Sequence, residues 1–429
     1  MLNPKINNSF FTSNHKNLIS LMDTGSLAVI NSNDILPSNA DGTMKFHQNS
    51  DLFYLTGINQ EETILLLNPG DKDEDKMEML FIRDFNPELE VWEGKKLSPE
   101  GASEISGIKT VHDLSKFENI FHDLMCNTDI VYLNTNDHDR ASNTVENRDL
   151  RFIKRCRKNY PLHSYKRISP LIYSLRVIKS KTEAELLQKA CDITGDGFRR
   201  LLKFVKPGVM EYEIQAELAH EFIRQGSGFA DYEPIIATGE NSCFLHYVKN
   251  DDKCADGDVL LLDIAAGYAN YNADMTRTIP VNGKFTPRQK QVYNAVLRAM
   301  KGTIKEIRPG KSVKDLLIVT RELIAKELID LKLVKPDDVK DLKNKSPEFK
   351  KYYPHDVSHF LGLGVHDVGI FDEPMKAGMV LTCEPGIYIR EEKIGIRIEN
   401  DILITENGNV DFMAKIPVEA DEIEDLMNS

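Results

Sequence analysis

The chain has 429 residues, 41% hydrophobic and 28% charged, with a net charge of −13. That length suits two soluble globular domains, and the acidic balance excludes a broad phosphate-neutralising face for nucleic acid. The N-terminus, MLNPKINNSFFTSNHKNLISLM, lacks a continuous apolar segment and no run elsewhere approaches a membrane span, so no membrane association and a cytoplasmic location are expected.

Residues 1 to about 172 alternate short strand-like runs (SLAVINS, ETILLLNP, MLFIRD, DIVYLNT) with helical or loop segments, the pattern of a small α/β domain. No GxGxxG follows a strand and there is no Walker loop, so nothing points to a bound nucleotide. The basic stretch RFIKRCRKNYPLHSYKRISP reads as a linker and the start of a solvated helix. Beyond it, SKTEAE offers Ser180 or Thr182 as the N-cap of a helix with acids in its first turn.

The second domain, residues 173–429, carries a faint internal repeat. FVKPGVMEYEIQAELAHEFI and EIRPGKSVKDLLIVTRELIA each set a basic residue, Pro and Gly before an amphipathic helix, at Pro207-Gly208 and Pro309-Gly310. Each copy is preceded by another helical pattern and followed by a predicted hairpin: LLLDIAAGYANYNADMTRT in the first, VLTCEPGIYIREEKIGIRIENDILIT in the second. The charged run VKPDDVKDLKNKSPEFKK lengthens the second copy and reads as a surface insertion.

Both hairpins carry acids inside apolar strands. A turn at Tyr268 and Ala269 would set Asp263 opposite Asp274, and one at Glu391 and Glu392 would set Glu384 opposite Glu399, with Cβ atoms about 5 Å apart. Opposed like charges destabilise a sheet, and burying them costs several kcal/mol each. A proton-sharing dyad would relieve one such pair. Two pairs in two repeat halves invite a cation between them. Gly395, Arg397 and Glu399 share one strand face, which marks that face as polar.

The stretch YYPHDVSHFLGLGVHDVG adds His355, His359 and His366, and His246 lies upstream of the first hairpin. His355 and His359 also have the spacing of a HExxH zinc motif, but Gly362 and Gly364 follow too soon for the sustained helix it needs. The six cysteines (Cys126, Cys156, Cys191, Cys243, Cys254, Cys383) form no CxxC pair, which fits reduced thiols; Cys383 beside Glu384 is the one nucleophile to weigh. Four carboxylates and an imidazole make a hard ligand set that suits Mn²⁺ or Co²⁺, with Zn²⁺ as an alternative. Two such ions about 3.5–4 Å apart can hold and deprotonate a water.

The order Asp263, Asp274, His359, Glu384, Glu399 resembles the metal ligands of the methionine aminopeptidase, prolidase and aminopeptidase P superfamily. The resemblance covers residues 173 to about 415. KFHQNSDLFYLTGINQEETILLL and EVWEGKKLSPEGA are similar to the N-terminal domain of aminopeptidase P, so Xaa-Pro aminopeptidase is the nearer match and prolidase the second.

The resemblance implies an N-terminal creatinase-like α/β domain followed by a pita-bread catalytic domain with pseudo-two-fold symmetry. It implies Asp263 on one ion, His359 and Glu384 on the other, and Asp274 and Glu399 between them. A bridging hydroxide would attack the bond before proline, in peptides with proline second. Glu384 would also shuttle a proton, while His246 and His366 would hydrogen-bond substrate and intermediate. His355, Arg397, Tyr232 and Tyr388 would line the pocket. Trp92, the single tryptophan, would cover a neighbouring subunit's site in a homodimer or homotetramer, or simply pack within its domain. Three positions depart from the family pattern: Asp356 where Gly is usual, Gly364 where Asp is common, and His47 where Arg is usual.

Overall fold

The structure, a computed structural model, describes residues 6–138, 140–141 and 144–429. The chain divides into two compact units, one ending at Arg176 and the other running from Val177 to Ser429.

In the N-terminal unit six strands form one mixed sheet: β1 (Ser26–Asn31), β2 (Ile64–Leu67), β3 (Glu78–Ile82), β4 (Thr110–Asp113), β5 (Ile130–Leu133) and β6 (Ser164–Arg167), in the order β4-β3-β2-β1-β5-β6. The four predicted runs become the central strands β1, β2, β3 and β5. The strands β4 and β6 carry no apolar run because they are edges, with one neighbour each and half-buried or exposed residues.

The basic stretch is not a linker. Arg148–Asn159 is a helix that buries Phe152 and Cys156, and β6 follows it at the sheet edge. The i,i+4 pair sits beneath a cationic face, and Arg155 covers the Phe152 ring at 4.8 Å. Charge density hid a two-residue apolar seam.

The C-terminal unit pairs helices with hairpins twice over. Helices Lys181–Phe204 and Glu211–Arg224 precede β7 (Gly228–Phe229), β8 (Ile235–Thr238), β9 (Val259–Asp263), β10 (Ala266–Tyr268), β11 (Tyr271–Asn272) and β12 (Thr276–Pro280). Helices Pro287–Ile304 and Val313–Asp330 precede β13 (Val380–Cys383), β14 (Gly386–Ile389), β15 (Ile394–Arg397), β16 (Asn400–Thr405) and β17 (Gly408–Asp411). The two Pro-Gly turns are structural counterparts. Gly208 and Gly310 both take positive φ, 98° and 90°. The Gly208 amide donates to the Cys254 carbonyl at 2.8 Å, and that of Gly310 to Met375 at 3.1 Å. The Ser180–Glu183 capping box opens the first helix.

The first hairpin differs from its expected register. It turns at Ala269 and Asn270, both with positive φ, so Asp263 faces Thr276 and Asp274 lies diagonally from Asp263 on the same face. A two-residue turn with consecutive left-handed residues matches strand twist, and Asn270 adopts that conformation far more readily than Tyr268 would. The second hairpin keeps the expected register, with Gly386 opposite Arg397 and Cys383 opposite Asn400 on either side of Glu384 and Glu399.

Nothing lies within 4 Å of where a Cβ on Gly310 would stand, so only its backbone conformation demands glycine. Gly310→Ala is therefore expected to lower unfolding stability by about 1–2 kcal/mol, read from denaturant midpoints at unchanged m-value.

Candidate active site

Strand ends deliver the polar residues. Asp263 closes β9, Asp274 precedes β12, Glu384 follows β13, and Glu399 stands between β15 and β16. Where pairing stops, other partners take the amides: Glu384 donates to the Val357 carbonyl at 2.9 Å and Glu399 to the Thr276 carbonyl at 3.0 Å, so the side chains are aimed without orphaning the backbone. His359 lies on an extended segment between the short helix Pro347–Tyr352 and β13. Its amide donates to Thr382 Oγ1 at 3.2 Å and the Thr382 amide to its carbonyl at 3.0 Å.

These residues surround one cavity of about 370 Å³. Asp263, Asp274, His359, Glu384, Glu399, His246, His366, His355, Arg397 and Tyr232 all line it. Tyr388 stands immediately behind, its hydroxyl 2.8 Å from His355 Nε2 and 3.0 Å from Arg397 Nη1. Trp92 belongs to the N-terminal unit, where it is 85% exposed on the helix Pro87–Glu93. Sequence reasoning missed the cavity walls Asp231, Glu233, Ile235, Leu245, Val248 and Val365. It also missed two residues that hold the acids. Thr276 Oγ1 donates to Glu399 Oε2 at 2.7 Å, and Asp401 Oδ2 accepts the Asp274 amide at 3.0 Å. Thr276 shares the strand face of the acids, two residues beyond Asp274, and was the readable signal.

The acids crowd one another. Ligand atoms of Asp274, His359 and Glu399 lie within 4.8 Å of each other. His359 Nε2 is 3.4 Å from Asp274 Oδ2 and 3.7 Å from Glu384 Oε1. The Tyr232 hydroxyl lies 2.8 Å from Asp263 Oδ1 and 3.0 Å from Asp274 Oδ1, and Arg397 Nη2 donates to Asp263 Oδ2 at 2.5 Å. His359 Nδ1 is 3.1 Å from the Phe360 carbonyl, which orients the ring with Nε2 toward the carboxylates.

Charge accounts for the electrostatics. Burial, then the Asp263 charge, pushes the Asp274 carboxyl well above its ordinary range. Burial, then Asp274 and Glu384, does the same to Glu399. Burial raises Glu384 from 4.5 to about 7, with His359 and Arg397 opposing. Burial and the neighbouring Arg397 depress His355 to about 3, so its imidazole is neutral. One arginine cannot balance four carboxylates. Glu399 Oε1 is buried without a hydrogen-bond partner among the described residues. An orphaned buried carboxylate oxygen beside three further acids and an imidazole is a donor set that fits divalent cations.

Two alternatives fall away. His355 and His359 are not on a helix; one contacts Tyr388 and the other the acids, so the single-zinc motif does not form. Cys383 is fully buried and burial pushes its thiol well up, which makes it a core residue.

The raised carboxyl pKa values set a pH dependence. Without cations, a group raised from 4.5 to about 7 contributes stability that is fully present below the unfolded value and lost as pH rises through about 7. Metal-stripped protein is therefore expected to lose melting temperature between pH 5 and 7.5 by this site's contribution. Stabilisation by an added divalent ion is expected to grow over the same interval. Calorimetry with and without chelator checks both trends.

Comparisons with known proteins agree with this arrangement. The profile of metallopeptidase family M24 matches residues 185–406, and that of the aminopeptidase P N-terminal domain matches residues 11–132. The chain is 33% identical to Xaa-Pro aminopeptidase of Escherichia coli, over 99% of this chain and 98% of that protein. It is 31% identical to human Xaa-Pro aminopeptidase 3, over 94% and 81%. Zinc-substituted Escherichia coli aminopeptidase P in complex with product superposes with a TM-score of 0.89 at 32% identity, covering 99% of each chain. The chain belongs to metallopeptidase family M24, with the two-domain organisation of the Xaa-Pro aminopeptidases.

Proposed function

We propose that this chain hydrolyses the peptide bond between an N-terminal residue and a following proline. In this reading Asp263, Asp274, His359, Glu384 and Glu399 hold two divalent ions, Mn²⁺ first among them. The observation that carries it is the convergence of these five side chains from both repeat halves on one cavity, with Glu399 Oε1 left unsatisfied. Bound ions supply Lewis acidity and an acidified water at neutral pH.

The chain's own groups do the rest. Glu384, which lines the cavity beside His359, is placed to take a proton and pass it to the proline nitrogen as that bond breaks. His246 and His366 are exposed at the cavity wall, in reach of substrate oxygens. Tyr232 and Arg397 fix Asp263 by hydrogen bonds, so its geometry is set before substrate arrives. The wall of His355, Tyr388 and Arg397 receives the proline side. Proline nitrogen carries no hydrogen when bonded in a chain, so recognition there rests on shape. The exposed Trp92, with Phe85 and Val91 also exposed nearby, supports assembly as a homodimer or homotetramer, testable by light scattering.

Xaa-Pro and Xaa-Pro-Xaa peptides are to be offered side by side with Mn²⁺. Release of the first residue from the tripeptide is expected, and turnover confined to the dipeptide would make the enzyme a prolidase. Asp274→Ala is expected to lower kcat by about a thousandfold or more and to abolish metal uptake together. Substantial activity in metal-free Asp274→Ala protein contradicts the ligand assignment.

A further inference from the structure

The charged run that reads as a surface insertion buries a lysine, Lys345, along with its apolar residues Val334 and Phe349. Between the helix ending at Asp330 and the segment carrying His355, Pro336–Val339 form a 3-10 turn and Pro347–Tyr352 a short helix. Lys345 is only 9% exposed. Its ammonium donates to the His355 carbonyl at 2.9 Å and to Asp356 Oδ1 at 3.0 Å, and it lies 5.0 Å from the centre of the Tyr353 ring. Arg321 donates to the same Asp356 oxygen at 2.9 Å, and its other terminal nitrogen donates to the Leu342 and Lys343 carbonyls. One carboxylate thus answers two largely desolvated cations.

That carboxylate belongs to the peptide that orients His355. The imidazole donates Nδ1–H to the Asp356 carbonyl at 2.7 Å, so Nε2 accepts from the Tyr388 hydroxyl at 2.8 Å. Tyr388 in turn accepts from Arg397, which holds Asp263. We propose that Asp356 is a positioning residue: gripped by Lys345 and Arg321, it fixes its own peptide and so aims the His355 imidazole into the cavity wall. Only the assignment of that wall to the proline side rests on the Xaa-Pro reading.

A freely turning His355 would weaken substrate and transition state alike, which raises KM and spares kcat. Asp356→Ala in the metal-loaded enzyme is expected to raise KM for an Xaa-Pro-Xaa peptide about tenfold with kcat within about twofold. Lys345→Met, which leaves Arg321 on Asp356, is expected to raise KM by less than Asp356→Ala does, and the double variant to lose less than the two single losses combined, because the Lys345–Asp356 contact is common to both. Asp356→Asn keeps the volume and an acceptor oxygen and is expected to recover most of the loss. Unchanged KM in Asp356→Ala, or additive losses in the double variant, overturns the proposal.

A second measurement does not depend on substrate. In ¹⁵N-histidine-labelled protein the His355 Nδ1–H resonance, assigned by its loss in His355→Gln, is expected to broaden or move in Asp356→Ala and persist in Asp356→Asn. An unmoved resonance in Asp356→Ala refutes the positioning role even if proline peptides are cleaved. A wild-type enzyme inactive on such peptides, with the resonance responding as stated, refutes the substrate reading alone.

Discussion

The mutual repulsion of carboxylates in a dry place is the constraint to which the catalytic unit answers. Two unit charges about 4 Å apart interact by roughly 4 kcal/mol at the effective dielectric of a protein. The C-terminal unit holds Asp274 and Glu399 almost fully buried, with Asp263 and Glu384 beside them. Such an arrangement survives only where rigid surroundings oppose its dispersal. Arg277 is one source of that rigidity. Fully buried, it donates to the Thr276 and Glu399 carbonyls at 2.9 and 2.7 Å, to Asn400 Oδ1 at 2.7 Å and to the Pro417 carbonyl at 2.9 Å. A single guanidinium therefore rivets the acid-bearing strand of one repeat half to that of the other, with four of its five N–H donors on these oxygens.

Much of this was legible in the residues. Acids within apolar strands, repeated in two halves, locate the cavity, and the Pro-Gly turns mark the duplication. The central strands of the N-terminal unit were readable because each is an apolar run flanked by polar residues. What escaped has definite causes. Edge strands β4 and β6 bury too little to leave a pattern. The register of the first hairpin turned on which residue tolerates a left-handed backbone, a contest that Asn270 wins over Tyr268. Thr276 and Asp401 act by accepting or donating a single hydrogen bond to an acid or its amide, and no periodicity records such a contact.

The insertion shows the same limit from the other side. Its density of charge reads as a solvated face, and most of its lysines conform. Lys345 does not, because Asp356 and the His355 carbonyl give its ammonium a partnered place inside. Composition reports what a segment can leave in water; it does not report which one of several like residues has found a partner.

The joint between the halves also bears on how the protein is made. The Glu399 amide bonds the Thr276 carbonyl at 3.0 Å, so the strand bearing the last acid docks directly on the strand that follows Asp274. Asp263 and Asp274 leave the ribosome long before Glu384 and Glu399, so the first hairpin waits for its neighbour from the second half until the last acid has been made. The crowding of the acids therefore arises only when the later hairpin docks, and the early chain is spared the repulsion that the finished fold must hold.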